Sequence, residues 1–215
     1  MKVLILRLAR LKYDVVMSRG QAVSIDTELV DATAAAVARW GLPEATLERI
    51  ADAAGMSRAT IYRRGVTRDQ LIDALTERAA AEFRRALWPA LSGADTAAQR
   101  LRLALEAICA VADEHLDLLA GMFLAHGEVF HRPGPDALIV DVFAEPFERL
   151  LRDGVLDGTL RAVPPTVTAT VLFNTVGWGY LHLRASHDWQ AAPARQAVLD
   201  LVLNGLVAHP DHATP

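Results

Sequence analysis

Between Ser57 and Arg68 the sequence places four arginines, Arg58, Arg63, Arg64 and Arg68, and no acidic residue. Guanidinium groups at this density suit phosphates and guanine edges, because each presents a fixed fork of donors and displaces counterions on meeting a polyanion. Thr46, Ser57, Thr60 and Tyr62 add hydroxyls in or beside the same stretch. Other chemistries find less support. Cys109 is the one cysteine, which excludes an internal disulfide and a multi-thiolate zinc site, reads as a small core residue, and points to a reducing, cytoplasmic setting. A metal-dependent enzyme would have to use His115, His126, Glu128 and His131; Glu128 and His131 have helical chelate spacing, but a di-metal bundle needs a second pair and more carboxylates. With no nucleophile motif or phosphate-binding loop either, no catalytic residue, metal or cofactor is expected.

A basic run acts only if a scaffold points it outward, and the scaffold legible here is helical. Apolar residues recur at three and four, without sustained alternation or hairpin dipeptides, so the expected fold is all-α. The chain has 215 residues, 52% of them hydrophobic, enough for a real core. Asp26 is placed to cap a first helix that Gly41 stops. Thr46 is placed to cap a short second helix closed by Gly55, with Leu47, Ile50, Ala51 and Ala54 on one face. Ser57 would cap a third, about 58 to 64, and Thr67 with Gln70 forms a capping box for a fourth that Pro89 is expected to break near Trp88. Later helices read as about 95 to 113, 115 to 126, 135 to 152, 165 to 184 and 193 to 208. Pro146 is expected to kink the third of these. Arg152-Asp153-Gly154 and Asp157-Gly158 read as turns after it.

Charge divides along the same chain. Residues 1 to 85 carry 14 basic against 11 acidic residues and the remainder 8 against 15, so the N-terminal part is the candidate polyanion binder. Residues 1 to 25 read as an arm, either untranslated upstream of Met17 or disordered. Residues 26 to 72 read as a DNA-binding domain and 73 to 215 as a larger helical domain. The uncharged stretch from Ala162 to Leu183 holds too many prolines, threonines and other polar groups for lipid, so no membrane partner is expected and burial in a protein interface is.

The segment TLERIADAAGMSRATIYRR has the order of a helix-turn-helix: two short amphipathic helices, a glycine between them, and a second helix whose polar face holds Arg58, Thr60 and Arg63 while Met56 and Ile61 turn toward Leu47 and Ile50. With its flanks, GMSRATIYRRGVTRDQL and the whole of Leu47 to Leu71 resemble the DNA-binding region of the TetR family of transcriptional regulators, specifically over about residues 27 to 72. The resemblance implies an N-terminal three-helix bundle followed by a helical effector-binding and dimerisation domain. It implies Thr46 and Ser57 as hydroxyl contacts to phosphate, Arg58 and Thr60 at base edges, and Tyr62 as a phosphate-binding tyrosine. Arg63 stands where a histidine is common, and Arg68 takes the place of a phosphate-binding lysine. Arg64 reads equally as solvated or phosphate-facing. Gly65 departs from the pattern, since the family usually has there an aromatic that packs the turn before the fourth helix.

The partners implied are a palindromic double-stranded DNA operator, a second copy of the chain bound through the last two helices (residues 165 to 208), and a small hydrophobic effector whose binding releases a repressor. A DNA-binding regulator without an effector is the alternative. Candidates to line an effector site are Met122, Phe123, His126, Phe143, Phe147, Asn174 and Trp178, a set that plain core packing would equally produce. Thr168, Leu172, Thr175 and Gly179 share a small-residue face of the helix at 165 to 184, and Val198, Leu201, Val202 and Leu206 an apolar face of the last one.

Overall fold

The computed structural model describes residues 25–125 and 138–205, with the backbone alone for 123–125 and 138–143. Regular structure among the described residues is entirely α-helical. Helix α1, Thr27–Trp40, starts where Asp26 accepts the Leu29 N–H at 2.9 Å and ends at Gly41. Leu29, Val30, Thr33, Ala36 and Val37 form its buried stripe, and the Thr33 hydroxyl is satisfied by the Leu29 carbonyl at 2.6 Å.

Two short helices follow. In α2, Leu47–Ala53, Thr46 caps the start by accepting the Arg49 N–H, and in α3, Arg58–Arg63, Ser57 accepts the Thr60 N–H. Neither is long enough to be stable alone, so packing must hold both. Helix α4, Arg68–Ser92, opens on a reciprocal box in which the Thr67 N–H donates to Gln70 Oε1 at 2.9 Å and the Gln70 N–H donates to Thr67 Oγ1 at 3.2 Å.

Helices α5, Ala97–Glu114, and α6, Leu116–Ala125, are separated by one non-helical residue, His115. Helices α7, Leu138–Leu156, α8, Pro165–Ala185, and α9, Ala191–Asn204, complete the described order. The described residues form two compact units. One holds 25–88, 114–125 and 138–143; its core joins Leu29, Val37, Leu42, Ile50, Ile61, Leu71 and Leu75 to Leu118 and Met122 of α6. The other holds 89–113 and 144–205, and buries Leu105, Ile108 and Cys109 of α5, Phe147 and Leu150 of α7, Val176 and Tyr180 of α8, and Leu199 of α9.

Three boundaries differ from those expected; the last helix runs Ala191–Asn204 and stops at Gly205 instead of spanning 193 to 208, and Leu206 lies outside the described residues. Pro89 does not end α4, which runs on to Ser92. Its ring deprives only the Arg85 carbonyl of a partner, and both residues are exposed, so water can take that bond. Helix α7 also continues through Pro146 and through Arg152-Asp153-Gly154, and turns only at Asp157-Gly158. Gly154 is inside the helix because Leu160 folds back onto it. A Cβ there would lie 2.4 Å from Leu160 Cδ1 and 2.8 Å from its Cβ.

Gly154→Ala is therefore expected to lower stability by about 1–3 kcal/mol through overpacking, although alanine is the better helix former by about 1 kcal/mol. Denaturant unfolding of the variant against wild type checks this; a gain in stability would show that Leu160 moves aside freely.

Candidate nucleic-acid interface

Helix α3 has one large aliphatic residue, Ile61, and it is completely buried against the core that contains Ile50 and Leu71, with Leu47 and Met56 packed partly buried beside it. Burying Ile61 leaves Arg58, Tyr62, Arg63 and Arg64 exposed and Thr60 half-buried. Arg58 and Arg63 are exposed, and among the described residues their guanidinium groups have no hydrogen-bond or ion-pair partner.

The hydroxyls are less free. Ser57 Oγ accepts the Thr60 N–H at 3.2 Å and shares a hydrogen bond with Thr60 Oγ1 at 2.9 Å. The Tyr62 hydroxyl, on a side chain 58% exposed, donates to Glu48 Oε1 at 2.7 Å. That bond holds the Glu48 carboxyl below the usual carboxylate range and pushes the Tyr62 phenol above its own, with the charge of Arg58 acting on both groups.

Arg64 pairs with Asp26 at 2.7 Å. Asp26 thus caps α1 and receives Arg64, and the Leu29 N–H and then Arg64 depress its pKa. Arg68 faces inward: its Nε donates to the Ala45 carbonyl at 2.9 Å and its Nη2 to the Leu42 carbonyl at 2.5 Å, so the guanidinium braces the α1–α2 turn against the start of α4. Gly65 takes φ +66°, the left-handed conformation that ends α3 with its N–H on the Tyr62 carbonyl. An aromatic at 65 would be strained there, which gives the departure at Gly65 a local cause.

Sequence reasoning missed Glu48 and Arg49. Glu48 lies off the buried Ile50–Ala51 face of α2, a position the apolar periodicity marks as outward. Arg49 is tied to Glu44 at 3.0 Å and lies over the Trp40 ring, 5.5 Å from its centre, so it serves the scaffold.

Residues 29–75, which contain this whole arrangement, match the profile of the bacterial regulatory proteins, tetR family. Over these N-terminal helices the chain is similar to that family. Solved TetR-type structures share its fold. PfmR from Thermus thermophilus is 22% identical, with a TM-score of 0.65 over 85% of this chain and 100% of that one. FadR from Bacillus subtilis, solved with stearoyl-CoA, is 16% identical, with a TM-score of 0.62 over 84% and 98%. LfrR from Mycobacterium smegmatis, solved with proflavine, is 22% identical, with a TM-score of 0.57 over 85% and 96%. No curated protein sequence matches the chain.

The residues expected to line an effector site fall in different places. Met122 belongs to the core of the first unit. Phe147, Asn174 and Trp178 belong to the second, where Phe147 is fully buried with its ring 6.2 Å from that of Phe173, and the Asn174 amide donates to the Thr170 carbonyl of its own helix. The side chains of Phe123 and Phe143 and the whole of His126 lie outside the described residues, as do Glu128 and His131 of the rival metal set. His115 instead meets Glu82 at 2.5 Å, with Glu114 close by. Arg78 and Arg85, 3.9 and 3.8 Å from Glu82 Oε1, compensate the charge of that carboxylate, so Glu82 is the centre of an ion-pair junction that ties α4 to His115. Among the described residues no helix is long and apolar enough to cross a membrane.

Because Arg68 is engaged by two carbonyls, Arg68→Ala is expected to cost about 1–2 kcal/mol of stability, and Arg68→Lys less. Chemical denaturation checks this. Unchanged stability, together with a fall of about 0.9 per contact in the slope of log affinity against log salt, would make Arg68 a phosphate clamp instead.

Proposed function

We propose that this chain is a cytoplasmic transcriptional repressor of the TetR type that binds a palindromic operator as a homodimer and is released by a small hydrophobic effector. The observation that carries the reading is the outward face of α3, where Arg58 and Arg63 are exposed and unpaired among the described residues while Ile61 anchors the helix from behind. Arg58 and Thr60 are assigned to base edges. Tyr62, Arg63, Thr46 and Ser57 are assigned to phosphates, together with the N–H groups at the helix starts. Arg68 acts through the fold, by holding the α1–α2 turn.

Dimerisation is supported by apolar surface in the second unit. Val167 and Val171 on α8 are 64% and 55% exposed, and Leu201 on α9 is 51% exposed. Gly179 on α8 has open space where a Cβ would stand, and Thr175 is exposed near it, so a partner helix can approach closely. The exposed face runs through Val167, Val171 and Thr175; of the face expected from sequence, Thr168, Leu172 and Gly179 are half-buried and Thr175 is exposed.

A hydrophobic effector is supported by the company the fold keeps: two neighbours were solved with stearoyl-CoA and proflavine, ligands with large apolar or aromatic bodies. Release requires an effector that binds one arrangement of the two reading heads better than the other, and by reciprocity it must bind more weakly to the operator complex. If no compound in a broad hydrophobic library changes operator affinity, the regulator works without an effector.

Genome-wide binding of the tagged protein tests the central reading, with enrichment of palindromic sites expected. On the operator so found, Arg58→Ala should lose about 1–3 kcal/mol per base contact while binding to scrambled duplex changes little. Equal losses on both duplexes would make Arg58 a phosphate contact and move base reading to Thr60 and Arg63. Val171→Glu combined with Leu201→Glu should run as a folded monomer in sedimentation; an intact dimer would place the interface elsewhere.

A further inference from the structure

Glu48 sets a carboxylate on a surface otherwise suited to a polyanion. It lies in the first turn of α2, and the Tyr62 hydroxyl holds it at 2.7 Å toward the exposed face of α3, within the field of Arg58. A negative group there repels phosphates whatever the base sequence, so it weakens docking on every duplex unless a particular sequence compensates it.

Among the major-groove edges, the cytosine N4 amine is the donor a carboxylate can accept without facing an acceptor of the same base. Adenine sets N7 beside its N6 amine, and guanine and thymine present acceptors or a methyl group. We propose that Glu48 is a specificity-determining residue that reads one G·C pair together with Arg58, the guanidinium forking to guanine O6 and N7 while the carboxylate accepts from cytosine N4. The inference rests on the DNA-binding reading above.

The hydrogen bond to Tyr62 couples this reading to the backbone contact. When the Tyr62 hydroxyl turns to a phosphate, Glu48 Oε1 loses its donor. On a cognate site cytosine supplies a replacement. On any other base the carboxylate keeps only its own backbone N–H and the Thr46 hydroxyl, and the acceptor site vacated by Tyr62 stays unfilled against the groove at a desolvation cost. Base identity at one position thereby controls whether a sequence-blind phosphate contact can form at full strength.

The test is selection of bound duplexes from a randomised library with wild type, Glu48→Ala and Glu48→Gln, each variant first shown to unfold at the wild-type temperature. Wild type should select cytosine at one position of each half-site. Glu48→Ala should accept any base there, bind scrambled DNA more tightly, and lose about tenfold in the ratio of specific to non-specific affinity. Glu48→Gln, which can still accept from Tyr62 but also donates, should shift the selected base toward adenine, the partner of a bidentate amide. An unchanged selected motif in Glu48→Ala, or equal weakening on selected and scrambled duplexes, would overturn this inference and leave the regulator reading standing. Selection of no motif by wild type would overturn the regulator reading itself.

Discussion

The orientation of the recognition helix depends on the burial of a single side chain. Helix α3 is only Arg58–Arg63, too short to persist by its own hydrogen bonds, and Ile61 is its one anchor in the core. Burying an isoleucine contributes about 1.5–3 kcal/mol. Direction matters as much as amount: with Ile61 inward, Tyr62 and Arg63, one and two positions on, are carried to the flank and the far side. The surrounding devices refine that choice. Ser57 sets where the helix begins, Gly65 sets where it ends, Arg64 ties its end to the cap of α1, and Arg68 secures the turn that presents α2.

What was legible in the sequence follows from how local each interaction is. Asp26, Thr46, Ser57 and the Thr67–Gln70 box act within three or four residues, so a cap at the right offset before an apolar stripe was sufficient to place the first four helix starts. Pro89 and Gly154 misled because each is a breaker by type. One sits on a wetted face where its missing bond is harmless, and the other is needed where Leu160 returns.

The finer site was hidden by distance along the chain. Arg68 reaches carbonyls 23 and 26 residues back, and Tyr62 reaches Glu48 over 14, and no periodicity encodes either. A resemblance transfers a residue's place without its partners, and Arg68, expected at a phosphate, is engaged here by two backbone carbonyls. The apolar candidates for an effector site met a related obstacle: pattern marks Phe147 as inward, and only packing shows that it is fully enclosed.

Cys109 has a practical consequence. It is the chain's one thiol, fully buried in the second unit, and burial pushes its pKa up to about 12. Since the thiolate is the reactive form, almost none is available to maleimides or disulfide reagents near neutral pH, and the folded chain is a chemically silent background for sulfhydryl labelling. A cysteine introduced on the exposed side of α1 would then be the sole reactive handle. Paired probes there could report the separation of two such heads directly, without removing any native residue.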